Sequence, residues 1–87
     1  MTVVEIKEIE RKDVPIYYRR VYEGTAVIEV AGKTSDMKIN WTIETSPLGV
    51  KETTVKMTDS VNYPLIPLIK ELKKKIEYLD SEGRLPL

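Results

Sequence analysis

The stretch Met37-Lys38-Ile39-Asn40-Trp41-Thr42-Ile43-Glu44-Thr45 decides the fold. Met37, Ile39, Trp41 and Ile43 alternate strictly with Lys38, Asn40, Thr42 and Glu44. Successive side chains of a strand point to opposite faces, so this period means one buried and one wet face. Residues 37–45 are thus a half-buried antiparallel strand with Trp41 in the core.

Working outward, Ser46-Pro47-Leu48-Gly49 reads as a tight turn, because Pro47 presets φ at the second position and Gly49 stands at the fourth. Residues 50–58 follow as a Thr-rich strand with Val55 and Met57 inward. On the other side, Gly32 to Asp36 reads as a polar loop. Residues 25–31 form the strand before it, with Ala26, Ile28 and Val30 inward. Glu23-Gly24 is expected to be a hairpin with Gly24 at positive φ; the rival is one long strand bulged at Gly24. Residues 16–22 form another strand, with Ile16, Tyr18, Arg20 and Tyr22 on one face and Tyr17, Arg19 and Val21 on the other. Val14-Pro15 begins it, after the polar turn Arg11-Lys12-Asp13. Residues 3–9 alternate β-branched and charged side chains, with Val4 and Ile6 on one face, and are expected to be a strand, with a frayed helix as the alternative.

Past Asp59, Ser60 and Asn62 the period changes. Leu65, Ile69, Leu72, Ile76 and Leu79 form one helical stripe over residues 64–80, with Leu68 beside it. Pro67 belongs to the first turn, where its missing N–H costs nothing, and Gly83 suits a positive φ just past the end. Residues 81–87 form a tail. The fold class is therefore α+β: an antiparallel meander of four to five strands, then one C-terminal helix packed on one sheet face, in a single domain spanning 1–87. That order resembles single-strand-binding coactivators, which dimerise and use their sheets; the resemblance lies in element order alone.

Five strands at about 4.8 Å spacing make a sheet roughly 20 Å wide, and a helix is about 10–12 Å across. Either the sheet curls around the helix or a second copy completes the cover, and a homodimer is expected.

Composition removes several chemistries. The 87 residues carry 14 Lys+Arg and 14 Asp+Glu, with no Cys, His or Phe and no Gln. Without Cys there is no disulfide, thiolate catalysis or zinc ribbon, and without His the commonest neutral-pH base and nitrogen ligand is missing. No phosphate loop, dinucleotide fingerprint or metal motif is present, so neither enzyme activity nor a cofactor is expected. No apolar run reaches signal-peptide or membrane-span length, and a soluble cytoplasmic protein without membrane contact is expected. Ten Lys and ten Glu with only two Asn point to a thermophilic source.

Tyr17-Tyr18-Arg19-Arg20-Val21-Tyr22 is the sharpest candidate constellation. Rings that stack on bases and guanidiniums that contact phosphate are the chemistry of single-strand binders, and Lys38 and Asn40 would extend that surface. The bland alternative places Tyr18 and Tyr22 at the core rim and pairs Arg19 with a cross-strand Glu. Zero net charge favours protein contact over nucleic acid. The apolar tail Arg84-Leu85-Pro86-Leu87 either docks on its own chain or meets a partner. Lys70, Lys73, Lys74 and Lys75 read as a solvated helix face, and Glu5, Glu8, Glu10 and Asp13 match no metal loop. Thr58-Asp59-Ser60, ahead of a helix, reads as capping chemistry. The expected function is a small non-enzymatic binding or regulatory module acting through protein–protein contact, meeting its partner with Tyr17, Arg19, Arg20, Tyr22, Lys38, Asn40, Leu85 and Leu87. The alternative is a single-stranded nucleic-acid binder using Tyr17, Arg19, Lys38 and Asn40.

Overall fold

The computed structural model describes residues 1–58 and 64–86. Four strands and one helix follow in order: β1 (Thr2–Lys12), β2 (Arg19–Val30), β3 (Lys33–Thr45), β4 (Lys51–Met57) and α1 (Leu65–Ser81). The strands form one antiparallel sheet in the order β1-β2-β3-β4. The α+β meander expected from the alternation of residues 37–45 is what the chain builds. The punctuation at Asp59, Ser60 and Asn62, and the capping set Thr58-Asp59-Ser60, lie wholly or partly outside the described residues.

Glu23-Gly24 is not a hairpin. β2 runs straight through it in unbroken register, from Arg19 opposite Glu44 to Val30 opposite Lys33. The glycine serves proximity instead of positive φ: a Cβ there would stand 3.2 Å from the Trp41 ring and 3.3 Å from Ile6 Cγ2. The expected bulge sits on the neighbouring strand. β1 shifts register between Lys7 and Glu10, with Glu8 at φ 54°, and again between Val3 and Glu5. Each shift inserts one residue and flips the faces downstream. Val3, Ile6 and Ile9 thereby all pack on the core, while Val4 is exposed rather than sharing a face with Ile6. Their spacing of three imitates a helix and comes from two bulges.

The true hairpin lies where a polar loop was expected. Ala31 and Gly32 both have positive φ, 52° and 78°, as a two-residue type I′ turn requires. Pairing resumes at once, so residues 33–36 belong to β3. Alanine in this region is strained by about 1–2 kcal/mol. Ala31→Asn should therefore raise stability by about 0.5–1 kcal/mol, seen as a higher melting temperature. A lower one would contradict the turn.

The first half of the strand expected at 16–22 is also a turn. The Arg19 N–H donates to the Ile16 carbonyl at 3.1 Å, and extended pairing starts only at Arg19. The turn at Ser46 to Gly49 forms as expected: Gly49 N–H donates to Ser46 O at 2.9 Å, with Gly49 at φ 82°.

The helix starts and ends one residue later than expected, and Pro67 does fall in its first turn. Its C-terminus closes by a Schellman motif. Gly83 N–H donates to Asp80 O and Arg84 N–H to Leu79 O, with Gly83 at φ 68°. This reversal carries Leu85 back onto the core, where it is buried in one cluster with Leu72, Ile76 and Leu79.

α1 approaches both edges of the sheet, β1 and β4, more closely than its centre. The sheet thus curls around the helix, and side chains from the two central strands fill the space between. Tyr22, Ala26, Ile28 and Trp41 are fully buried within one chain. Of the two solutions to the cover problem, curling is the one used, with four strands rather than five. An uncovered face no longer argues for a second copy.

Candidate functional site

The sequence candidates separate onto three places. Tyr22 is in the core, its ring stacked on Trp41 at 5.5 Å and 18°. Leu85 is core as well. Leu87 lies outside the described residues. Arg19, Lys38 and Asn40 lie on the outer sheet face, away from the helix. Arg19 sits opposite Glu44 and pairs with it at 3.4 Å, as the cross-strand alternative expected. Lys38 stands six residues along β3 from Glu44, about 20 Å away. Rings and cations therefore do not interleave as a base-stacking surface.

The rest of that outer face mixes threonines with paired charges. Thr25, Thr42 and Thr54 occupy it, and ion pairs join Lys7 to Asp36 at 3.3 Å and Lys12 to Glu23 at 2.8 Å. Lys12 is held above its ordinary pKa by the hydrogen bond and charge of Glu23. The N-terminal acids are spread along it. Glu8 accepts a bond from the Thr25 hydroxyl at 3.3 Å and Glu10 lies 3.7 Å from Lys12. Among the described residues no three acidic side chains converge as a metal site. The helix lysines lie apart from all this, with Lys74 4.0 Å from Glu71 and Lys75 over the Tyr78 ring.

What remains is one end of the sheet. There the turn at Ile16 to Arg19 meets the turn at Ser46 to Gly49. A cleft of about 790 Å³ opens between them, lined by Tyr17, Tyr18, Pro47, Val50, Glu44 and Glu52, with Arg20, Thr45 and Ser46 completing the wall. Thr45 N–H donates to the Tyr18 carbonyl at 3.0 Å, which ties the tyrosine turn to β3. Ser46 Oγ accepts from the N–H groups of Leu48 and Val50, which fixes the opposite wall. The cleft is thus held by backbone bonds on both sides, yet its apolar lining is bare: Tyr17 is 99% and Val50 64% exposed, and Leu48 in the adjoining turn is 91% exposed. Tyr17 and Tyr18 meet edge to face at 5.7 Å.

Behind the cleft is a residue with no place among the sequence candidates. Asp80, near the end of α1, accepts from Arg20 at 3.0 and 3.3 Å and from Lys51 Nζ at 3.1 Å. Its side chain is only 13% exposed. The hydrogen bonds from Arg20, with those from Lys51, hold its carboxyl below the ordinary value despite burial. The same contact raises Arg20. Arg20 also donates to the Tyr22 hydroxyl at 3.1 Å, and that hydroxyl donates to the Pro86 carbonyl at 3.4 Å. One polar chain thus joins helix end, sheet and tail, so Arg20 is a structural residue rather than a free contact group.

Tyr22→Phe should cost about 1 kcal/mol by removing both hydroxyl bonds. It should also let trypsin cut after Arg84, because Leu85 would be released from its seat. Tail cleavage no faster than in the parent would show that Leu85 alone holds the tail.

Among the described residues, no helix is long and apolar enough to cross a membrane. Comparisons with curated proteins and with solved structures gave no match. The model of the BB-0187 family matches residues 1–81, and the chain belongs to that family.

Proposed function

We propose that this chain is a non-enzymatic, cytoplasmic binding module that works through protein–protein contact and as a homodimer. The observation that carries the binding part is the bare apolar lining of the cleft, built from Tyr17, Tyr18, Pro47 and Val50 on a backbone-pinned frame, with Leu48 exposed in the adjoining turn. Exposed apolar side chains gathered in one place mark contact sites, whereas scattered ones need no explanation. Aromatic rings also offer large contact area at low entropic cost. Glu44 and Arg20 in the same cleft are already paired, with Arg19 and Asp80, and the Glu52 carboxylate is left to meet a partner's charge. An apolar segment carrying a basic side chain is the partner this lining suits.

A photo-crosslinking residue at position 17 or 48, in cells of the source organism, tests this. A discrete adduct is expected from both positions. It should disappear with Val50→Asp and not form from position 33, at the opposite end of the sheet. Equal labelling from position 33 would remove the proposal. Foldedness is easy to control here: Leu48 is 91% exposed, so Leu48→Lys should change stability by no more than about 0.5 kcal/mol.

Single-stranded nucleic acid remains the second reading, favoured by the fully exposed Tyr17 ring. It would require affinity that falls as salt rises and a change in tyrosine or Trp41 emission with oligonucleotide. Silence at low salt would eliminate it. The homodimer rests on the outer edge of β4, which pairs with no strand among the described residues, and sedimentation should show twice the 10.0 kDa chain mass at micromolar concentration.

A further inference from the structure

The two sheet edges are unlike. β1 is blunted by two bulges and carries Glu5, Lys7, Glu8, Glu10, Arg11 and Lys12, the usual protections of an edge against pairing. β4 keeps a single register against β3 over Lys51 to Met57, with no bulge.

The direction of its free backbone groups follows from two bonds. Ser46 N–H donates to Val50 O, and Thr58 N–H donates to Lys38 O. Ladder bonds alternate along an antiparallel pair, so the even-numbered residues of β4 are bonded toward β3. Lys51, Thr53, Val55 and Met57 therefore aim their N–H and C=O groups at the open edge. Glu52, Thr54 and Lys56 put their exposed side chains on the outer face, while Thr53 and Val55 are buried on the core face.

We propose that this edge is the dimer interface, with β4 of a second copy pairing antiparallel about a two-fold axis through Thr54. This deepens the homodimer part of the proposed function and rests on it. The axis places Thr53 opposite the partner's Val55, exchanging ladder bonds. It places Glu52 opposite the partner's Lys56, and Thr54 opposite Thr54 of the partner subunit, in the narrow pairs where side chains come closest.

Charge selects this register. Among the described residues neither Glu52 nor Lys56 has an ion-pair partner in its own chain, whereas Glu44, opposite Glu52 on β3, is already paired with Arg19 at 3.4 Å. A partner lysine beside Glu52 gives both side chains the ion pair they lack within the chain, and symmetry makes the contact twice. Centring the axis on Thr53 or Val55 leaves Glu52 facing a threonine. Centring it on Glu52 or Lys56 sets like charges face to face. A shift by an odd number of residues opposes groups that point away from each other. Only the axis at Thr54 joins opposite charges.

Sedimentation of the full chain across the micromolar range, with three variants, tests the interface. Glu52→Lys and Lys56→Glu each create two like-charge contacts and should weaken the dimer about tenfold, while the double swap should restore it. Both side chains are exposed, so folding of the variants is not at stake. Amide hydrogen exchange supplies a second readout. Thr53 and Val55 should be protected in the dimer and exchange on dilution, while Thr54 and Lys56 stay protected throughout. A dimer insensitive to both single variants, with Thr53 and Val55 exchanging freely, overturns the edge and leaves the homodimer standing. A monomer at all concentrations removes both.

Discussion

Gly24→Val is expected to destabilise the protein by about 2–3 kcal/mol, a large fraction of the roughly 4–13 kcal/mol available to a chain of this length. The cause is space. In β2, Gly24 pairs with Ile39, and Trp41 lies diagonally across, so its ring leans over the glycine. The first added carbon already meets two ring atoms at 3.2 Å and Ile6 at 3.3 Å, and valine adds two more carbons. The ring cannot move aside easily, because its other face stacks on Tyr22, which is itself bonded to Arg20 and the tail. Gly24→Ala should cost less, about 1 kcal/mol, since alanine recovers some of the entropy that glycine loses in a strand. Urea unfolding followed by Trp41 emission measures both, and the valine variant should also shift the native spectrum. A valine midpoint within experimental error of the parent would mean that the sheet has room the geometry does not show.

That glycine explains where the sequence was readable and where it was not. Residues 37–45 could be read because both phases of the alternation are clean: every odd position from Met37 to Ile43 is buried, and Lys38, Asn40, Thr42 and Glu44 keep contact with water. Glycine in a strand has two uses, positive φ or close approach of a neighbour, and they look identical in one dimension. Gly24 is the second kind, and nothing nearby in sequence names Trp41 as its neighbour. Ala31 is the converse case, a residue without turn preference that takes φ 52° because Gly32 and the twist of two long strands impose it. In β1 the spacing of Val3, Ile6 and Ile9 hides a strand whose bulges are set by pairing with β2. The bounds of the helix, by contrast, were legible almost to the residue, since apolar spacing and Gly83 act locally; its buried stripe is Leu68, Leu72, Ile76 and Leu79, with Leu65 exposed rather than on it.

The site was legible as chemistry but not as place. Tyr17 and Tyr18 stood out, yet their strand assignment gave them the wrong neighbours; the turn sets them beside Pro47 and Val50 instead. Interleaving of Tyr and Arg reflected alternation between two sheet faces, one of them the core. Asp80 does leave a signal in the sequence. An acid in the last turn of a helix opposes the macrodipole, and α1 has no basic residue there to offset it. Such an acid needs a specific cation from elsewhere, and the arginines on the strands are Arg11, Arg19 and Arg20.

Asp80→Asn is accordingly expected to cost about 1–3 kcal/mol at neutral pH, through a chain of contacts that no other residue can replace. The amide keeps the shape of the carboxylate but not the charge that meets Arg20 and Lys51. Because Arg20 is itself three-quarters covered, its cation is left poorly compensated, which is the larger part of the loss. The effect should also fade with acid. Asp80 is held below its ordinary 3.8 in the folded protein, so the unfolded chain takes up its proton first as pH falls. The stability it contributes is therefore fully present above the unfolded value and is lost as pH drops through the folded one. Urea midpoints of parent and variant should differ by a constant amount from pH 7 down to about 5 and begin to converge as pH falls past the ordinary 3.8 toward the lower folded value. The remaining carboxylates titrate in both proteins and cancel in the difference. Arg20→Met alone should lose a similar amount, and adding it to Asp80→Asn should cost little more, since both remove the same contact. A difference between parent and Asp80→Asn that persisted unchanged to pH 2 would show that the carboxylate acts through shape rather than charge. Additive losses in the double variant would show that Arg20 and Asp80 do not act through one shared contact between helix end and sheet.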